Sequence, residues 1–68
     1  MPGPTKVLIE MAFSKYEELP KDKQARVSFL AEDMAKEKGY SNLKEVMALR
    51  PYIYKQLIAD AMQKLGFF

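Results

Sequence analysis

Three helix breakers, Pro20, Gly39 and Pro51, partition this chain before any other feature is considered. Proline in a helix interior removes a backbone donor and clashes with the preceding turn. Glycine ends a helix by taking a left-handed conformation at little cost. Between these breaks the apolar residues recur at helical spacing rather than in the alternation of a strand. The pattern predicts four helices, at about 5–18, 21–38, 42–49 and 51–65. An all-α, compact bundle of four short helices in one domain is therefore expected.

Each segment carries its own signals. Pro2 and Pro4 around Gly3 make an irregular start, with Thr5 or Gly3 placed to cap the first helix. Leu8, Met11, Ala12 and Tyr16 are expected to face inward from it. Val27, Leu30, Ala31, Met34 and Ala35 form the stripe of the second helix, with Glu32, Asp33, Lys36 and Glu37 off it. Gly39 supplies a left-handed cap, and Tyr40 folds back against the last turn. Ser41 is the expected N-cap of the third helix, with Leu43, Val46 and Met47 inward. Pro51 disfavours a helical Arg50 and suits the first position of the fourth helix. There Ile53, Tyr54, Leu57, Ile58, Ala61, Met62 and Leu65 span nearly half the circumference, so that helix should sit centrally.

With 68 residues, the chain is one domain, expected to be stable by about 3–10 kcal/mol. It has no cysteine for a disulfide staple and no histidine, so the usual zinc ligands are missing. No metal and no cofactor are expected, and self-association is a natural way to add stability. No apolar run approaches membrane-spanning length, and no secretory leader is visible, which gives a cytoplasmic expectation.

Composition also argues against catalysis. Without histidine or cysteine, Ser14, Ser28 and Ser41 have no activating partner, and the three glycines form no phosphate-binding loop. The adjacent acids Glu17–Glu18 and Glu32–Asp33 diverge by about 100° on a helix and do not converge on one atom. A non-enzymatic binding module is the expectation.

Two kinds of partner fit. The first is nucleic acid. Residues 1–40 hold seven basic and seven acidic side chains, whereas Lys44, Arg50, Lys55 and Lys64 outnumber Glu45 and Asp60 in the remainder. The outer side of the fourth helix presents Tyr52, Lys55, Gln56, Ala59 and Gln63, side-chain types that touch phosphates and base edges. Lys44 and Arg50 flank it. The plain alternative is an ordinary solvated helix face.

Met34, Ala35, Gly39 and Ser41 add a pattern of an apolar residue, a small one, a turn glycine and a serine opening the next helix. Over residues 31–50 this resembles helix-turn-helix DNA-binding domains. The resemblance implies DNA binding and transcriptional regulation. Lys38 stands where that pattern has an apolar residue before the glycine, and Glu45 stands at another apolar position. On these grounds the nucleic-acid reading comes first.

The second partner is protein, with this chain as an adaptor, an inhibitor or one half of a homodimer. Phe29 lies nearly opposite the apolar stripe of its helix. Burial against a second neighbour within the monomer is its expected fate, and an interface anchor is the alternative. Phe67 and Phe68 are expected to fold back over the bundle, contributing about 1.5–3 kcal/mol each, or else to form an apolar tail. Met11, Met34, Met47 and Met62 are expected to fill the core rather than line a surface.

Overall fold

In the computed structural model, which describes residues 6–68, four helices follow one another: α1 (Lys6–Glu18), α2 (Lys21–Glu37), α3 (Leu43–Leu49) and α4 (Pro51–Leu65). No strand occurs among the described residues. The expected caps at Gly3 or Thr5, and Met1, lie outside them.

The breakers act as their chemistry requires. Pro20 takes an extended conformation ahead of α2, and its carbonyl accepts from the amides of Lys23 and Gln24. Gly39 adopts φ +99°, so that its amide reaches Lys36 O and the Tyr40 amide reaches Ala35 O. This is a Schellman closure of α2. Gly66 repeats it at φ +79°, with its own amide on Gln63 O and that of Phe67 on Met62 O. Arg50 leaves the helical region at φ −139°, ψ 70°, as a residue preceding proline should, and Pro51 opens α4.

α4 is the central element and touches each of the other three helices. Its Leu57, Ile58, Ala61 and Met62 are buried, together with Val27, Ala31, Met34 and Ala35 of α2 and Leu43 and Val46 of α3. Ile9 and Ala12 of α1 are buried as well. No polar or charged residue is buried among the described residues, so the core carries no internal polar site.

Three expectations need correction. α1 is rotated relative to its anticipated face: Ala12 and Tyr16 turn inward as expected, but Leu8 and Met11 are 45% and 53% exposed, and Ile9 and Phe13 take their place. The segment Val7–Phe13 is apolar almost all round, and the aromatic rings decide the rotation. Phe13 packs edge-on against Tyr54 at 5.7 Å and 72°, and Tyr16 hydrogen-bonds Ser28 Oγ at 2.9 Å. Met47 points outward from a helix too short to enclose both its apolar rows. The N-cap of α3 is Asn42, not Ser41, because Asn42 Oδ1 accepts from the Glu45 amide at 2.7 Å.

Candidate interaction surface

The turn between α2 and α3 is tied down by its own acids. Glu45 Oε1 reaches back to the Ser41 amide at 2.9 Å, in a variant of the capping box. Glu32 Oε1 accepts the Leu43 amide at 3.3 Å, joining α2 to the first turn of α3. Glu45, which departs from the helix-turn-helix pattern, thus has a structural task at this corner.

The proposed nucleic-acid contacts differ in exposure and in partners. Lys44, Arg50 and Gln63 are exposed, as is Tyr52. Lys55 is half-buried, because its Nζ bonds both carboxylate oxygens of Glu10, at 3.0 and 3.1 Å, and lies 5.2 Å from the centre of the Phe13 ring. Gln56 and Ala59 are half-buried where α1 packs beside α4. The outward side chains of α3, the helix that would enter a groove, are Lys44, Met47, Ala48 and Leu49. Only one of these is basic.

The aromatic candidates separate. Phe67 folds back onto the core, with Lys23 Nζ 5.7 Å from its ring centre. Phe68 is 43% exposed and edges a groove of about 340 Å³ between α1 and α4. Ile9, Ala12 and Leu57 line that groove together with Lys38, Tyr40 and Asp60. Tyr54 of α4, packed against Phe13 of α1, has its hydroxyl pKa pushed up from the ordinary tyrosine value by burial, with Tyr16 and then Glu17 adding to the effect.

Phe29 contradicts its expected burial. It is 74% exposed, the most exposed large apolar side chain among the described residues. The core of the bundle lies against Val27, Ala31, Met34 and Ala35 on the other side of α2, and α1 reaches round only as far as Ser28, which bonds Tyr16. Beside its ring, the small residues Ala25 and Ser28 leave a shallow depression that Glu32, Asp33 and Lys36 complete. The sequence placed Phe29 on the polar side of α2 correctly. What the sequence lacked was the knowledge that no fourth helix returns there.

No group of three or more His, Cys, Asp or Glu able to hold a metal occurs among the described residues, and none of their helices is long and apolar enough to cross a membrane. No family model, curated protein or solved structure shows a significant match to this chain.

Proposed function

We propose that this protein is a non-catalytic protein-interaction module that docks through the outer face of α2. The exposure of Phe29 carries the reading: its 74% accessible ring sits mid-helix in a structured element rather than on a loose end. Burying such a ring is worth about 1.5–3 kcal/mol, and isolated aromatic anchors next to a hollow dominate many protein interfaces. Leu49 at 71% and Val7 at 65% show that the bundle displays more apolar surface than its folding uses.

A nucleic-acid role draws less support. Lys55 spends its charge on Glu10, and α3 presents Met47, Ala48 and Leu49 beside Lys44. Phosphate contacts need unpaired cations gathered on one face.

Replacing Phe29 with photoreactive benzoylphenylalanine in cells that make the protein tests the choice, with the same residue at exposed Lys64 as the control. The expected product is a protein adduct formed at position 29, resistant to nuclease and absent at position 64. A nuclease-sensitive adduct, or equal labelling from both positions, overturns the reading.

A further inference from the structure

The charges around Phe29 follow a rule that a helix exposed only to water does not need. Counting outward from Phe29, Asp22 lies seven residues before it and Lys36 seven after. Seven residues return a helix to nearly the same direction, about 10.5 Å further along its axis, so these three side chains form one straight row. Arg26 stands three residues before Phe29, and Glu32 and Asp33 stand three and four after. Asp22 and Lys36 thus stand at equal distances from the ring with opposite signs, and on one flank of the row Arg26, three residues before the ring, is answered by Asp33, four after it. On this face the charges are close to antisymmetric about Phe29.

Such a row is its own complement when turned end for end. We propose that the partner of this face is a second copy of the chain, its α2 lying antiparallel across a two-fold axis at Phe29. Isologous pairing of this kind sets the same patch on both subunits, so each contact occurs twice. Phe29 meets the partner's Phe29, each ring settling toward the hollow left by Ala25 and Ser28. Asp22 meets the partner's Lys36, and Arg26 meets the partner's Asp33. All five of these α2 side chains are exposed. The tie that Lys36 makes within its own chain, to Glu32 at 3.9 Å, is long and solvent-exposed and yields readily.

Parallel pairing is disfavoured by the same row. It would set Asp22 on Asp22, Arg26 on Arg26 and Asp33 on Asp33, stacking like charges along the seam. The antiparallel arrangement also opposes the two helix dipoles favourably. A single 17-residue helix face gives a contact at the small end of stable interfaces, so the dimer should dissociate on dilution, on the order of tens to hundreds of micromolar.

This inference rests on the docking role of the α2 face, and a charge swap separates the two. Sedimentation equilibrium is run on the full chain, on Arg26→Glu, on Asp33→Arg and on the double variant, with circular dichroism on each. Both single variants set like charges against each other twice per dimer. Each is expected to weaken association roughly tenfold at low salt with helicity kept. The double variant restores the pairing and should recover most of the affinity. An unmodified chain that stays monomeric at millimolar concentration overturns the dimer. So does a dimer indifferent to both single variants, or a double variant no tighter than the singles. If Phe29 still crosslinks to a different protein in those cases, the docking reading stands and only the second copy is rejected.

Discussion

Lys55 of α4 grips Glu10 of α1 through both carboxylate oxygens, at 3.0 and 3.1 Å, while its ammonium lies 5.2 Å from the centre of the Phe13 ring. One side chain thereby ties the first helix to the last. The pair is partly exposed, with side-chain accessibilities of 32% and 47%, so its contribution is modest.

Lys55→Met should therefore lower stability by roughly 0.5–1 kcal/mol in urea denaturation, keeping the apolar stem while losing the charge. High salt should shrink the difference between the two proteins, because exposed ion pairs are screened. A variant as stable as the parent would show that the pair adds nothing.

Capping at the α2–α3 corner distinguishes two neighbouring residues. Asn42→Ala removes the acceptor for the Glu45 amide and should cost about 1 kcal/mol. Ser41 contributes only its backbone amide, to Glu45 Oε1, so Ser41→Ala should stay within about 0.5 kcal/mol. Thermal melts of the two variants check the order. Equal losses would mean that Ser41 shares the cap.

The sequence was legible wherever a residue's backbone preference decides the outcome. Pro20, Gly39, Pro51 and Gly66 set the helix ends within about a residue, and α4 proved central because half its circumference is apolar. It was less legible where side chains compete. Val7 to Phe13 is apolar nearly all round, so the rotation of α1 awaited the contact of Phe13 with Tyr54. Ser41 and Asn42 are both good caps, and the choice depends on which side-chain oxygen meets the Glu45 amide, which is that of Asn42. The fate of Phe29 depended on the bundle's connectivity, which leaves the far side of α2 uncovered. The opposed signs of Asp22 and Lys36, and of Arg26 and Asp33, on either side of Phe29 are written in the sequence. They gain meaning only once Phe29 is known to stand exposed at their centre.

Tyr54 supplies a pH dependence. Burial first, then Tyr16 and Glu17, raise its pKa in the folded chain above 10.0, so the folded state holds the phenol proton more tightly than the unfolded chain does. The stabilisation is complete below the unfolded pKa and is lost as pH rises through the folded one. Stability should be insensitive to Tyr54 near neutrality and fall above about pH 10. The Tyr54→Phe variant should lose part of that alkaline decline in urea denaturation. An unchanged alkaline limb would remove Tyr54 from the explanation.

If Phe29 serves association rather than folding, Phe29→Ala measured twice on the same sample tests it most directly. Met62→Ala provides the scale: Met62 is fully buried, and its truncation should cost about 2–5 kcal/mol. With Phe29→Ala, the melting temperature taken at monomer concentrations should move by no more than about 2–4 °C, the equivalent of roughly 0.5 kcal/mol in a domain of this size. Sedimentation of that variant at high concentration should show the dimer gone. A melting temperature that falls as far as that of Met62→Ala, or a dimer that survives the loss of the ring, would contradict the account.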